Sequence, residues 1–263
     1  MRWAALVLLA LALSGCESTQ EKAAKVKRVA AISERANDRR RALAQRALSI
    51  THLSANVKVL QTTLLRSPEG TAAAVVTLRN LAAKPISDAP IQITVRNAQG
   101  ASLYTNATPG LGVGLAEVPL LPAHAVTEWI DDQIQASGAP AHVEAKVGEG
   151  SPASGTPPQL SFDAVHVFEE AAGSAGAEGE LVNHSQTAQQ ELVIYAIARK
   201  DGRIVAAGRA IVAEAGPGTT THFQAFMYRY YLPAGVYPAP LTWARARTVT
   251  TEVALPNQAR NFY

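Results

Sequence analysis

Ile91-Gln92-Ile93-Thr94-Val95-Arg96-Asn97-Ala98-Gln99-Gly100 alternates apolar and polar side chains and then supplies the residues of a turn. A period of two puts Ile91, Ile93 and Val95 on one face, the pattern of a strand with one side buried. Asn97 to Gly100 gives the hairpin a glycine able to take positive φ. A second stretch, Leu192 to Ala198, is apolar at every position and runs into Arg199-Lys200-Asp201-Gly202. Strands apolar on both faces lie in the middle of a sheet, so this predicts a central strand followed by another hairpin.

Working outward, the two hairpins belong to an internal repeat. Leu78-Arg79-Asn80 matches Leu181-Val182-Asn183, and the hairpin glycines Gly100 and Gly202 follow the two asparagines at nearly equal spacing. Leu121-Pro122-Ala123 corresponds to Ala215-Gly216-Pro217, ahead of Trp129 and Phe223; His142 to Val147 corresponds to Trp243 to Val249. The first copy is longer at Thr108 to Gly114, which reads as a longer loop. Between the copies, the Gly-, Pro- and Ser-rich residues 148–159 read as a linker. Each copy has about 100 residues and six or seven short strands, the size and rhythm of an immunoglobulin-like sandwich. The expected fold class is mainly β: two tandem immunoglobulin-like β-sandwich domains, 50–147 and 160–255, and a tail at 256–263. The repeats resemble the small extracytoplasmic β-sandwich domains of bacterial lipoproteins in the FxLYD-like group. The Phe-x-Leu-Tyr-Asp string that names the group is absent, and the resemblance implies location and shape more than chemistry.

The amino terminus gives the expected address. Met1-Arg2 precedes an apolar run from Trp3 to Leu13 and then Ser14-Gly15-Cys16. That run is too short for a hydrocarbon core, which needs about 20 helical residues, and suits a secretory signal peptide. Leu13-Ser14-Gly15-Cys16 resembles the lipobox of bacterial lipoproteins. The resemblance implies cleavage after Gly15 and lipid on Cys16, so residues 1–15 are read as the signal peptide. A soluble secreted protein is the alternative. With one cysteine in the chain, no internal disulfide forms and stability must come from packing.

Residues 16–49 are read as a lipidated basic helical stalk. Lys22 to Ala47 carries nine Lys or Arg against Glu34 and Asp38, whereas Leu48 onward holds fourteen basic and seventeen acidic residues. The basicity therefore belongs to the stalk, as a solvated spacer or as a strip along anionic lipid headgroups, where each charge near the surface contributes about 1 kcal/mol. Nucleic acid is not an expected partner of an exported chain, despite the pI of 9.1.

No catalytic constellation emerges, and neither a cofactor nor a metal site is expected. Gly110, Gly112 and Gly114 lack the spacing of a phosphate loop. His166 and Glu169 fall on opposite faces of a strand, as do the members of Asp131-Asp132; His52, His124, His142, His184 and His222 are scattered singly. Asn106-Ala107-Thr108 and Asn183-His184-Ser185 match a glycosylation pattern without meaning in a bacterium. The reading is a non-catalytic binding or scaffolding lipoprotein with an envelope protein or glycan as partner; a wall or carbohydrate binder is the rival, and an envelope hydrolase the third. Nine of the fifteen aromatic residues lie after residue 220. Phe223, Phe226 and Trp243 are expected in the core, whereas Tyr228, Arg229 and Tyr230 are the candidate partner-binding residues, because Tyr and Arg are enriched at interface centres.

Overall fold

The computed structural model describes residues 38, 47–66, 71–153, 158–169, 175–200, 202–229 and 248–254. The residues read as signal peptide, Gly15, Cys16, nearly all of those read as the stalk, Tyr230, Trp243 and the expected tail lie outside the described residues. Residues 1–39 and 40–263 cluster as two units, and all that follows concerns the second. No helix among the described residues is long and apolar enough to cross a membrane.

The fold is mainly β and sandwich-like. In chain order the elements are β1 (Val57–Arg66), β2 (Thr71–Asn80), β3 (Ile86–Arg96), β4 (Ser102–Thr105), the short helix α1 (Val113–Ala116), β5 (Glu117–Leu121), β6 (Val126–Gln135), β7 (His142–Val147) and β8 (Ser151–Pro152). There follow β9 (Leu160–Glu169), β10 (Ala175–Asn183), β11 (Gln189–Lys200), β12 (Arg203–Ala215), β13 (Thr220–Phe226), β14 (Tyr228–Arg229) and β15 (Thr248–Ala254).

In the amino-terminal half, β1-β2-β6 form one antiparallel sheet and β3 is the centre of a second. β4 and β7 pair with the later part of β3, β5 and β8 with its first residues. The carboxyl-terminal half has β13-β10-β9 and β14-β12-β11-β15. β12 runs unbroken along β11, where the first half divides the equivalent path into β4, α1 and β5. Directly after β4 stands the buried Asn106, whose Oδ1 accepts from Ile93 N and whose Nδ2 donates to Ile91 O and Leu115 O. It substitutes for the ladder partner that β3 loses where β4 stops. The expected longer loop is thus partly helical, and the amide of Asn106 is committed to the backbone.

The strand expectations hold where alternation is clean. Ile91, Ile93 and Val95 are fully buried while Gln92, Thr94 and Arg96 are half-buried. Gly100 and Gly202 both take positive φ, 84° and 76°. Every residue from Leu192 to Ala198 is buried, because the two faces of β11 enter different clusters. Leu192, Ile194, Ala196 and Ala198 pack with Leu181 and Phe223. Val193, Tyr195 and Ile197 face the other way and join the core of the first half. β2 is the counterpart, buried on both faces from Ala72 to Val76, because β12 packs across β1, β2 and β6. The β14-β12-β11-β15 sheet therefore lies on the β1-β2-β6 sheet.

Residues 148–153, within the stretch 148–159 read as a linker, lie along the first sheet. Gly148 N donates to Pro90 O and Ala153 N to Pro85 O, and Ser151–Pro152 pairs with β3. A Cβ on Gly150 would sit 2.7 Å from Ser87 O, so glycine is what lets this segment press against the sheet. Composition hid the pairing because it is made by backbone. Residues 154–157 lie outside the described residues.

Candidate interaction face

Counting back from Asn80 and Asn183, each of which pairs with the first residue of the neighbouring strand, Ala73 and Val75 of β2 match Gly176 and Glu178 of β10. On β2 these positions are buried beneath β12. On β10 the same face is open among the described residues, and its side chains are of a different kind. β10 is the middle strand, so the face is built from three strands in register: Gly176 between Phe168 and Phe226, and Glu178 between His166 and Gln224. Ala177 and Leu181, on the opposite side, are fully buried, which fixes the orientation of the sheet.

At one end Phe168 and Phe226 meet edge to face, ring centroids 5.4 Å apart. Gly176 permits this, since a Cβ there would lie 2.7 Å from the Phe168 ring. Phe226 is 48% exposed, so the expectation that it is core is corrected: strand parity puts Phe223 and Ala225 inward and Phe226 outward. Next along β10, Glu178 takes an ion pair from His166 Nε2 at 2.9 Å and a hydrogen bond from Gln224 Nε2 at 3.3 Å. His222 stands between the two carboxylates, 3.9 Å from Glu178 and 3.4 Å from Glu180.

The histidines read as isolated in sequence are therefore partly assembled: His166 and His222 flank one glutamate. Cross-strand pairing joins residues far apart in the chain, which no local spacing reveals. The Ala164 carbonyl accepts from His166 Nδ1 at 2.9 Å, and that bond, with Glu178, raises the His166 pKa above its ordinary value against some desolvation. Ala164 itself sits at φ 51° beside a register shift in β9. No group of three His, Cys, Asp or Glu among the described residues is placed to hold a metal ion.

Of the candidate residues from sequence, Tyr228 and Arg229 form β14, whose backbone pairs with Ala207 and Ala206 of β12; their side chains and all of Tyr230 lie outside the described residues. The other acidic pair, Asp131-Asp132, serves structure. Strand alternation sends Asp131 to the Tyr104 hydroxyl at 2.8 Å and Asp132 to Arg209 of β12, with hydrogen bonds of 2.7, 2.9 and 3.1 Å. Arg199 of β11 pairs with Glu128 in the same interface. Burial raises the Asp131 carboxyl, against bonds from Gln133 N and Tyr104, and burial followed by Asp131 raises the Tyr104 phenol. Arg209–Asp132 and Arg199–Glu128 tie the halves together, and Tyr104–Asp131 joins β4 to β6 within the first.

Neither the scan against family models nor the search of curated proteins finds a match to this chain.

Proposed function

We propose that this chain is a lipid-anchored, non-catalytic binding or scaffolding module of the bacterial cell envelope, built from two tandem immunoglobulin-like sandwiches. The address rests on Leu13-Ser14-Gly15-Cys16 after a short apolar run. The observation that carries the binding role is the face of β13-β10-β9, open among the described residues. Its counterpart in the other half is covered by a packed sheet, whereas here an exposed phenylalanine stands beside two carboxylates and two imidazoles. Contiguous exposed aromatic and polar side chains on a rigid sheet are what an interface needs. Enzyme chemistry gains no support from the Asp131 and Asp132 carboxylates, which are occupied by Tyr104 and Arg209.

Two measurements test the reading. Cys16→Ser should release the protein from membranes and abolish incorporation of a fatty-acid analogue; membrane retention after a high-salt wash would contradict the anchor. A photo-crosslinking residue at Gln224, on the open face, should give a discrete adduct with an envelope protein in intact cells, and one at Gln99, in the Asn97–Gly100 turn, should not. The rival reading, a wall or carbohydrate binder, draws on the exposed Phe226 ring beside Gln224 and Glu178, and predicts sedimentation with purified peptidoglycan in place of the adduct.

A further inference from the structure

Resting on the binding-module reading, we infer that the open face of β13-β10-β9 docks a protein segment bearing arginine or lysine. Charge is the first argument. No Lys or Arg occurs from Gly148 to Ala198 or from Ala210 to Met227, so all three strands lack a permanent cation. Asp163, Glu178 and Glu180 supply carboxylates on or beside the face. His166 and His222 are its basic groups, and both are tied to those glutamates. In a chain of net charge +3, this sheet is a local acidic surface. Anionic lipid and nucleic acid are repelled by it; a cationic peptide is attracted.

The second argument is the interface the molecule already contains. On the equivalent face of the first half, the covering strands bring Arg199 to Glu128 and Arg209 to Asp132, beside apolar contact among Val75, Ile130 and Tyr195. Glu128 pairs with Thr77 on β2, as His222 pairs with Glu180 on β10, so the internal Arg199 lands on the row that this face fills with His222 and Glu180, while Asp132, the partner of Arg209, lies beside Ala73, whose counterpart is Gly176 between the two phenylalanines. Phe226 and Phe168 supply the apolar partner for the aliphatic stem or guanidinium plane of the incoming residue.

The test uses the mature chain in zwitterionic detergent and a fluorescein-labelled peptide of alternating Arg and Val, read by anisotropy at low salt and pH 7.5. Saturable binding is expected, weakened about tenfold or more by Glu178→Gln with Glu180→Gln, by Phe226→Ser, and by raising salt. Gln224→Lys, an exposed change that adds charge without removing a contact from the core, should weaken it equally, and circular dichroism checks that each variant is folded. No binding, or binding undiminished in the folded Gln224→Lys and double-glutamine variants, overturns the inference. A crosslinked adduct at Gln224 without affinity for the cationic peptide would leave the binding module standing and refute the cationic partner; absence of both would remove both.

Discussion

Arg209 on β12 closes on Asp132 of β6 through two guanidinium nitrogens and its own backbone N–H, joining residues 77 positions apart. The Arg209 side chain is only 5% exposed, so the pair sits inside the junction between the halves. Removing one partner leaves the other charge desolvated and alone, which costs about 3–5 kcal/mol. Arg209→Met should accordingly lower the unfolding midpoint by roughly 10 °C, given about 2–4 °C per kcal/mol for a chain of this size. Arg209→Met with Asp132→Leu should recover most of that loss. A double variant no more stable than Arg209→Met would show that the arginine acts through its aliphatic packing, not through the charge pair.

Asn80 and Asn183 make the same four side-chain bonds at the same places in the two halves. Asn80 Nδ2 donates to Lys84, Leu121 and Pro122 carbonyls and its Oδ1 accepts from Ala82 N. Asn183 does so with Thr187, Ala215, Gly216 and Ser185 N. Both are buried, so alanine orphans three carbonyls and an amide at once. At about 1–3 kcal/mol for a buried group left unsatisfied, with some recovered by water, each Asn→Ala should cost about 2–4 kcal/mol. Aspartate keeps the acceptor but turns a carboxylate toward three carbonyls, so Asn→Asp should be at least as damaging in denaturant titration. A much smaller loss at Asn183 than at Asn80 would show that equal geometry hides unequal energetics.

Those asparagines were visible in the sequence because each ends an apolar strand at matching distance from a turn glycine; what they bond was not. Local pattern was reliable for β3 and β11, where side-chain period and turn chemistry agree. It failed where partners come from far along the chain. The stacking of Val193, Tyr195 and Ile197 on the first half left only the trace that β11 is apolar on both faces, which a central strand in any sheet would also show. Alternation puts Asp132 on the face of Glu128 and Ile130, but its partner Arg209 lies 77 positions along the chain, and the His166–Glu178–His222 row exists only because β9 and β13 lie on either side of β10. The open face was misread for the same reason: Phe226 has the composition of core and the parity of surface.

His166 makes stability depend on pH. Its pKa is raised first by the Ala164 carbonyl and then by Glu178, so the folded state holds the proton more tightly than the unfolded chain. That contribution is complete below the unfolded histidine value, about 6.5, and disappears as pH rises through the folded value. His166→Gln should therefore shift the urea midpoint most at about pH 5.5 and least at about pH 8. Equal shifts across that range would mean that the imidazole contributes by packing and not by charge. The side chain is exposed, so the effect is small and best read as the change in difference with pH.

His124 and Gly218 hold the same corner in the two halves, each just before the strand that returns beside the asparagine strand, with φ of 57° and 67°. The left-handed region costs an L-residue about 1–2 kcal/mol relative to the right-handed one, whereas glycine takes it freely but brings more entropy to the unfolded chain, about 0.5–1 kcal/mol. The two terms oppose at His124. His124→Gly should move stability by less than about 1 kcal/mol, toward stabilisation if strain outweighs entropy. At Gly218 a Cβ would have nothing within 4 Å, so Gly218→Ala meets no neighbour and reports backbone strain less the entropy removed from the unfolded chain. It should cost about 1 kcal/mol, Gly218→Asn less because asparagine tolerates this region, and Gly218→Val more because branching at Cβ does not. Guanidinium titration of the four variants checks the order. Should Gly218→Ala prove neutral, this corner relaxes to another turn, and the positive φ is a convenience of the sequence instead of a demand of the fold.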